Sequence, residues 1–341
     1  MMSESTTLPS VTVVIPTRGR PELLRNQLDS LTGQTYPASR LEVIVMHNFG
    51  DKVLSERDFH GGVGAPEDNT ESVVNEYARK APFPVRYIRV NFYGRNPSRR
   101  LGSNEASGNI VVFTDDDCVA APEWIASGVA CFTPSTGVVQ GRTLPNPDQR
   151  RRLFEKTIEI TEKTGFYETC NIFYRKEALV EPDAFGEDPI YFGEDTVLAY
   201  NVKKRGYTSA FSEDAVVYHE VFATTFFEWL LAPAIGARGM SALPQLVRRV
   251  PALREHMFLR YFLHLRTALF DLLLLGLLLG ALLHPLCLLL AIPYFAYRYY
   301  DPCRFKNPLM RIARILFGVP RACVLFAALA IGSLRSRSLL L

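Results

Sequence analysis

The start of the chain holds two apolar, β-branched runs separated by a helix pattern, and this order constrains the fold more than any other feature. VTVVIP (11–16) and LEVIVM (41–46) are short and apolar, which is typical of strands buried on both faces. Between them, Pro21 suits the first turn of a helix that continues to Leu31. A strand–helix–strand unit predicts parallel pairing, with functional loops at the carboxyl ends of the strands. We therefore expect an α/β fold that contains a parallel βαβ unit.

The same alternation continues to about residue 225. Further strands are predicted at 85–90, 110–114, 137–141, 170–174, 207–211 and 216–218. Further helices are predicted at 71–80, 98–107, 150–163 and 194–204. Residues 50–70 and 143–148 are predicted as loops.

Beyond residue 267 the chain is dominated by Leu, Ala, Phe and Tyr. The apolar stretch 268–297 is longer than the roughly 20 residues that a membrane-spanning helix needs, and His284-Pro285 divides it into two arms. Residues 312–334 form another apolar stretch, which Pro320-Arg321 interrupts. The preceding segment carries Arg at intervals among Leu, Phe and Val, a pattern typical of a membrane interface. We expect a flexible N-terminus (1–10), an α/β domain (11–225), an amphipathic connector (226–266) and membrane helices or a re-entrant hairpin (267–341).

Basic residues flank 268–297 on both sides, which favours a hairpin that enters and leaves on the cytoplasmic face. A single full crossing is an alternative, and so is a buried helical core without a membrane. The N-terminus MMSESTTLPS lacks the basic and apolar regions of a signal peptide. The sequence therefore predicts a protein of the cell membrane with its α/β domain on the cytoplasmic side.

Composition excludes several other classes. The net charge of +3 argues against nucleic acid as a partner. Six cysteines without a C-x-x-C pair indicate neither a zinc site nor a disulfide framework, and they suit a reducing compartment. A P-loop ATPase and an ordinary Rossmann dehydrogenase are disfavoured, because neither G-x-x-x-x-G-K-[ST] nor G-x-G-x-x-G occurs.

Three adjacent carboxylates, Asp115, Asp116 and Asp117, directly follow the predicted strand 110–114. Burying them together is costly unless a cation compensates their charge. In an extended segment Asp115 and Asp117 point to the same side, which suits a hard divalent cation such as Mg²⁺ or Mn²⁺ that would in turn bind a diphosphate. The alternative is an acidic, solvated loop.

Two later features are also candidates for chemistry. Tyr191-Phe192-Gly193-Glu194-Asp195 opens a predicted helix, and a carboxylate there could deprotonate an acceptor hydroxyl, although acids in a first helical turn are also favoured by the helix dipole. His219 ends the predicted strand 216–218, where a lone His serves either as a metal ligand or as a hydrogen-bonded structural residue. The loop Thr17–Arg20 is a candidate nucleotide contact, since loops at strand ends in α/β sheets commonly bind nucleotides.

Taken in order, these features resemble the family 2 glycosyltransferases, which have a GT-A fold. The resemblance covers roughly residues 10–225. It is carried by VTVVIPTRGRPELLRNQLDSLTGQTYP, RNPSRRLGSNEASGNIVVFTDDDC, VVQGR, CNIFYRKEAL, FGEDTVLAYNVKKRGY and AVVYH. It implies a nucleotide-diphospho-sugar transferase with a Rossmann-like mixed sheet, followed here by C-terminal membrane-associated helices.

The resemblance also implies roles for the acidic residues. Asp115 and Asp117 match the D-x-D motif, which binds the metal and the sugar-nucleotide, with Mg²⁺ or Mn²⁺ as cofactor. Asp195 or Glu194 matches the family's catalytic base, and we favour Asp195. His219 matches the His that often completes the metal coordination.

Nucleotide-binding roles are implied in the same way. Pro16, Thr17 and Arg18 match the first loop, Arg99 lies near the family's diphosphate-facing Arg, and Asp116 is the middle member of the acidic motif. Family members often carry an Asp after the second strand, whereas this chain has Met46-His47-Asn48 there, so that His47 or Asn48 substitutes or the contact is lost.

Gly236-Ala237-Arg238-Gly239-Met240 stands where processive members have Q-x-x-R-W, which makes a polymerising synthase less favoured than an enzyme that adds a single sugar. We expect inverting transfer of a sugar to a membrane-associated acceptor, either a lipid-linked saccharide or a cell-surface glycan. The rivals are a non-catalytic, membrane-tethered module that binds sugar-nucleotides and a nucleotidyltransferase.

Overall fold

The computed structural model describes residues 8–48, 68–90, 95–179, 184–185, 192–235, 239–300, 305 and 307–341. The chain divides into two compact units. The sheet unit comprises Met1–Gln149, Thr157–Ile190 and Glu194–Glu220, and the helical unit comprises Arg150–Lys156, Tyr191–Gly193 and Val221–Leu341. Several predicted features lie wholly or partly outside the described residues: most of loop 50–70, Tyr191, and Gly236-Ala237-Arg238.

Eight of the described strands form one mixed sheet in the sheet unit, in the order β3-β2-β1-β4-β8-β6-β9-β5. The strands are β1 (Val11–Thr17), β2 (Leu41–Asn48), β3 (Val85–Val90), β4 (Ile110–Thr114), β5 (Cys118–Ala120), β6 (Thr136–Pro145), β8 (Asn171–Arg175) and β9 (Thr208–His219). The helices of this unit are α1 (Pro21–Thr32), α2 (Thr70–Lys80), α3 (Arg95–Glu105), α4 (Trp124–Ala130), α5 (Lys176–Leu179) and α6 (Glu194–Lys204). A short β7 (Glu155–Lys156) pairs with β10 (Phe222–Ala223) in the helical unit.

The first four strands of the sheet order, β3, β2, β1 and β4, are parallel to one another, as the strand–helix–strand pattern predicts. Their carboxyl ends therefore lie along one edge, which brings Thr17, Asn48 and Thr114 to the same side of the sheet. β8 runs antiparallel to β4 and to β6, so the sheet is mixed. β9 runs parallel to β6 and antiparallel to β5.

Helices cover both faces of this sheet. Side chains of α1, α2 and α4 join the core cluster that includes Val13 and Val45. Gly102 of α3 lies against Val14 and Met46, which point to the opposite face because side chains alternate along a strand. The apolar runs are therefore buried on both faces, which explains their near-continuous hydrophobicity.

Three predicted elements differ in the structure. The predicted helix 150–163 is wrong: the segment is extended or irregular, β7 pairs with β10, and Ile160 forms a bridge with Thr143. The predicted strands 207–211 and 216–218 are one strand, β9. Between Ser212 and Val216, β9 advances by four residues while β6 advances from Gly141 to Arg142, so that β9 contains a bulge of three extra residues.

The helical unit contains α7 (Phe226–Leu231), α8 (Leu243–Arg249), α9 (Leu265–Leu282), α10 (Ile292–Tyr300) and α11 (Pro308–Ser336), with 3₁₀ turns at Met240–Ala242, Pro251–His256 and Pro285–Ala291. The chain reverses after Leu283, and the turn 285–291 packs back on α9, where a Cβ on Gly276 would lie 2.9 Å from the Cys287 carbonyl oxygen. The chain thus reverses at His284-Pro285, and a hairpin within a membrane stays a prediction. Pro320 does not interrupt the last apolar stretch, because α11 continues through it.

Two of the described helices, α9 and α11, are long and apolar enough to cross a membrane. Only 22% of the residues in the apolar window of each helix are buried. A core helix of a water-soluble protein would be mostly buried, so this exposure weakly supports association with a membrane.

Candidate active site

The loop between β1 and α1 turns toward the acidic run. Gly19 adopts φ = 63°, a left-handed conformation that glycine tolerates without strain, and Arg20 is the N-cap of α1. Pro16 and Thr17 are buried at the end of β1, and Arg18 is partly exposed. The Thr17 hydroxyl donates a hydrogen bond of 2.7 Å to Asp116 Oδ2. The first loop and the acidic run therefore lie in contact with each other.

Two arginines neutralise part of the charge of the three carboxylates. Arg20 NH1 lies 3.3 Å from Asp116 Oδ1 and 2.9 Å from Asp117 Oδ2. Arg99, only 2% exposed, donates to Asp115 Oδ1 at 3.0 Å. The chain itself therefore supplies positive charges for an acidic cluster that the sequence predicts to be either a metal site or a solvated loop.

Arg99 also joins the two acidic motifs. Its NH1 lies 3.9 Å from Glu194 Oε1 at the start of α6, while its NH2 holds Asp115. Residues 99, 115 and 194 are far apart in sequence and meet because α3, the end of β4 and the start of α6 lie at one end of the sheet. The geometry brings Arg99 to carboxylates of the chain itself, and its predicted contact with a diphosphate stays a prediction.

The register of the sheet brings His219 to Asp117. Cys118 of β5 pairs with His219 of β9, and the Glu220 N–H donates to the Asp117 carbonyl at 2.9 Å. His219 Nε2 consequently lies 3.5 Å from Asp117 Oδ1. The resemblance predicted this pair, and the strand pairing gives its physical cause.

The chemistry of this pair fits a metal ion. His219 Nδ1 lies 2.8 Å from the Glu220 carbonyl oxygen, which only accepts, so we assign the proton of the neutral imidazole to Nδ1. Nε2 then presents a lone pair to Asp117 Oδ1, which is buried and makes no hydrogen bond among the described residues. A divalent cation would satisfy both atoms, and so would a second proton on His219.

A complete protein cage for a metal is not found within the described residues, where no three His, Cys, Asp or Glu side chains are grouped suitably. Asp117 and His219 form a pair, and Asp115 faces Arg99 instead. The assignment of Asp115 as a metal ligand stays a prediction. Such an incomplete set is suitable for a cation whose other ligands come from a substrate diphosphate and water.

Two acids of the site, Asp116 and Asp195, have raised pKa values. Burial raises the pKa of Asp116 to about 7, and the negative charge of Asp117 acts in the same direction. Burial also raises the pKa of Asp195 to about 8, with further contributions from Glu194 and Glu168. A carboxylate with a raised pKa is a better proton acceptor once ionised, so Asp195 is chemically suited to act as a base near neutral pH.

Asp195 is fixed at the first turn of α6. Its Oδ1 accepts a 2.9 Å hydrogen bond from the Thr196 N–H. The buried Tyr174 of β8 is close enough for the charge of Asp195 to raise the pKa of its phenol, although burial is the larger cause. Glu194 faces Arg99, whereas Asp195 is desolvated and lies near two other acids, Glu194 and Glu168. The two neighbouring carboxylates therefore have different surroundings.

The end of β2 carries His47 and Asn48 where the family often has Asp. His47 is buried, with Nδ1 2.9 Å from the Tyr87 hydroxyl and Nε2 3.4 Å from Asp68 Oδ2. Asn48 donates to the Ser98 hydroxyl at 3.3 Å. Asp68 also accepts from the Thr70 N–H at 2.8 Å, so it positions the start of α2 beside the first loop. Desolvation lowers the pKa of His47, so a neutral imidazole is favoured there.

Sequence reasoning missed Arg20 and Asp68. Arg20 appeared only as the last residue of the candidate loop, and its position between a strand end and the first residue of a helix could have indicated a contact with the acidic run. No local signal pointed to Asp68, which reaches His47 only through the fold.

Comparisons with known proteins identify the family of this chain. Residues 9–231, more than half of the chain, match the family described as glycosyltransferase like family 2. Glycosyltransferase AglE of Haloferax volcanii is 25% identical over 225 residues, which are 63% of this chain and 68% of AglE.

Solved structures share the fold. Mannosyltransferase PcManGT from Pyrobaculum calidifontis, in complex with GDP-Man and Mn²⁺, is 19% identical with a TM-score of 0.50, over 97% of this chain and 88% of that chain. S. aureus TarS 1–349 in complex with UDP-GlcNAc is 14% identical with a TM-score of 0.53, over 96% of this chain and 92% of that chain. At these identities the structures establish the GT-A fold.

Proposed function

Because the chain belongs to glycosyltransferase family 2, and is a GT-A glycosyltransferase that uses a nucleotide-sugar donor, we propose that it performs metal-dependent, inverting transfer of one sugar to a membrane-associated acceptor. The observation that carries this proposal is the bridge that Arg99 makes between Asp115 and Glu194. This bridge joins the acidic run Asp115–Asp117, which would face the diphosphate, to Glu194-Asp195, which contains the proposed base.

Asp117 Oδ1 and His219 Nε2 would hold the cation, which would be Mg²⁺ or Mn²⁺, because carboxylate and diphosphate oxygens suit both ions. When bound, the cation offsets the charge that develops on the departing nucleoside diphosphate. Thr17 and Arg20 keep Asp116 and Asp117 in place through contacts of 2.7–3.3 Å. Pro16, Arg18 and Asn48 complete the proposed nucleotide contacts on the neighbouring strand ends.

Asp195 would accept the proton of the acceptor hydroxyl. The hydroxyl oxygen forms a bond to the anomeric carbon as the bond from that carbon to the diphosphate oxygen breaks, and attack from the opposite face inverts the configuration. The raised pKa of Asp195 suits this role, and Glu194 is the alternative base.

The acceptor would be a lipid-linked saccharide or a cell-surface glycan at the cell membrane, with the catalytic domain on the cytoplasmic side. Support comes from the exposed apolar faces of α9 and α11 and from the chain reversal after Leu283. We propose the organisation 1–10, 11–225, 226–266 and 267–341 as N-terminus, catalytic domain, interfacial connector and membrane helices.

Donor hydrolysis tests this proposal directly. The full chain in detergent is assayed against UDP-, GDP- and dTDP-sugars with Mg²⁺, with Mn²⁺, or with a chelator. We expect one nucleotide to be preferred, and we expect turnover to require the cation. Asp117→Asn should abolish turnover in a folded protein, whereas Glu177→Gln, which removes an exposed carboxylate, should not change it.

Different results point to different functions. Metal-independent turnover would refute the role of Asp117 and His219. Donor binding without turnover or transfer would indicate a non-catalytic module, and release of pyrophosphate from a nucleoside triphosphate would indicate a nucleotidyltransferase. NMR of the first sugar product formed tests inversion at the anomeric carbon.

A further inference from the structure

Arg20 has a second relationship to the acidic run besides neutralising it. A single nitrogen, NH1, contacts both Asp116 and Asp117, and the three side chains are only 7–13% exposed. A guanidinium is charged at every pH relevant to proteins, so this positive charge is permanent. Arg20 therefore places a fixed cation beside the carboxylate that is proposed to bind a divalent one.

The two oxygens of Asp117 have different neighbours. Oδ2 accepts from Arg20 at 2.9 Å, and Oδ1 faces His219 at 3.5 Å. A cation on this site would reach Asp117 through Oδ1 only, unless Arg20 moved. It would also lie within a few ångströms of the guanidinium charge, and Coulomb repulsion at about 5 Å would weaken binding of a bare divalent ion by at least roughly tenfold even at the dielectric constant of water.

A nucleoside diphosphate removes both obstacles. Its negative charges offset the repulsion, and its oxygens are good acceptors for a guanidinium, which binds phosphate in a forked geometry. Arg20 stands at the N-cap of α1, in the loop that follows Gly19, so it lies where a strand-end loop of an α/β sheet commonly meets a phosphate.

We propose that Arg20 couples cation binding to donor binding. With Arg20 held against Asp116 and Asp117, the bare cation binds weakly. When the nucleoside diphosphate arrives, Arg20 shifts its NH1 from Asp117 to a diphosphate oxygen, and the cation gains full access to Asp117. This inference rests on the proposed function, because it assumes the cation site at Asp117 and His219.

A purely structural Arg20 would behave differently. If Arg20 stayed on the carboxylates in every state, its removal would strengthen cation binding equally with and without nucleotide. The discriminating quantity is therefore the ratio of the two Mn²⁺ dissociation constants, measured without and with nucleotide, rather than either constant.

The experiment is an EPR titration of free Mn²⁺ with the full chain in detergent, alone and with saturating UDP or GDP. It compares wild type with Arg20→Gln and Arg20→Lys, and Arg25→Gln is the matched control, since Arg25 lies on the same helix and pairs with Glu76 outside the site. Circular dichroism establishes that each variant is folded. No sugar transfer is needed for this readout.

For wild type and Arg25→Gln we expect nucleotide to tighten Mn²⁺ binding by at least about tenfold, as the repulsion argument requires. Arg20→Gln should bind bare Mn²⁺ more tightly than wild type and lose most of that ratio. Arg20→Lys keeps the charge and should bind bare Mn²⁺ as wild type does.

An unchanged ratio in Arg20→Gln would overturn the inference and leave the proposed function standing. If Arg20→Gln does not fold, an Arg20→Lys protein that binds bare Mn²⁺ much more tightly than wild type would overturn it. Failure of wild type to bind Mn²⁺ with any nucleotide would instead contradict the proposed metal site itself.

Discussion

The pH dependence of turnover is a direct test of Asp195 as the base. A carboxyl group accepts a proton only in its ionised form, so the rate should rise with pH through the pKa of Asp195. That pKa is raised to about 8 by burial and by the charges of Glu194 and Glu168, against the opposing charge of Arg99. Asp195 would then be about one-tenth ionised at pH 7 and about nine-tenths ionised at pH 9.

We therefore expect roughly a tenfold rise in the single-turnover rate of donor hydrolysis between pH 7 and pH 9, with a plateau above. Single-turnover conditions exclude product release from the measured rate. Glu168→Gln removes one of the repelling charges, so it should lower the pKa of Asp195 and move the rising limb to lower pH. Glu177→Gln, at an exposed position, should leave the limb in place.

A rate that stays flat from pH 6.5 to pH 9.5 in wild type would refute the reasoning, because no group with a pKa near 8 would then control the chemical step. A limb that moves equally in Glu168→Gln and Glu177→Gln would show that general surface charge, and not the local surroundings of Asp195, sets it. Asp195→Asn should remove the limb together with most of the rate while donor binding changes little.

Three further predictions concern the metal pair, the core and the membrane. His219→Gln should weaken Mn²⁺ binding in the presence of nucleotide by at least about tenfold, since it removes one ligand while the fold is kept; Mn²⁺ EPR with an unchanged dissociation constant would contradict the role of His219. Asn171→Ala should lower the free energy of unfolding by about 3 kcal/mol, because it leaves the Trp124 Nε1–H and the carbonyls of Arg142 and Ala215 without their 2.8–2.9 Å partners. Urea titration followed by far-UV circular dichroism measures this loss. A loss below about 0.5 kcal/mol would show that water replaces these bonds. The full chain should stay with membranes after carbonate washing. A variant with Leu278→Arg and Leu282→Arg, at exposed positions of α9, should leave the membranes in a larger fraction, as measured by immunoblot. Release of the wild-type protein would exclude membrane association.

The strands of the first half were predictable because their residues leave few alternatives. The runs that became β1, β2 and β4 are apolar and β-branched, and local sequence therefore agrees with the burial that the sheet imposes. Only the ends of elements shifted, by one to a few residues, for example in α3, which begins at Arg95 rather than residue 98.

The segment 150–163 shows where such reasoning fails. The charged residues of this segment are spaced as on a helix. In the structure, however, Glu155 is buried and lies 2.8 Å from Arg151, and the backbone of Glu155–Lys156 pairs with β10. The partner strand lies more than sixty residues away in sequence, at Phe222–Ala223, so the pairing leaves no signal in the segment itself. Tertiary pairing overrode the local preference.

The acidic and imidazole side chains of the candidate site were named from the sequence, but the arginine–carboxylate contacts that offset their charge were not. Asp115, Asp117, Asp195 and His219 were identified largely through the family resemblance. Arg99 was identified as well, but as a contact of the diphosphate and not of Asp115. The contact of Arg20 with Asp117 was not predicted, because the two residues are 97 positions apart and become neighbours only when β1 pairs with β4. Three adjacent carboxylates indicate that positive charge must lie nearby. Only the folded topology shows that Arg20 and Arg99 supply part of it.

The bulge in β9 bears on how this family tolerates insertions and deletions. The bulge places three extra residues between Ser212 and Val216. The residues after the bulge are held in register on both sides, because Val216–His219 pair with β6 and His219 also pairs with Cys118 of β5. Losing one of the three extra residues should therefore shorten the bulge and leave the imidazole facing Asp117. Pairing on both sides of β9, rather than the exact length of this short segment, keeps His219 and Asp117 together.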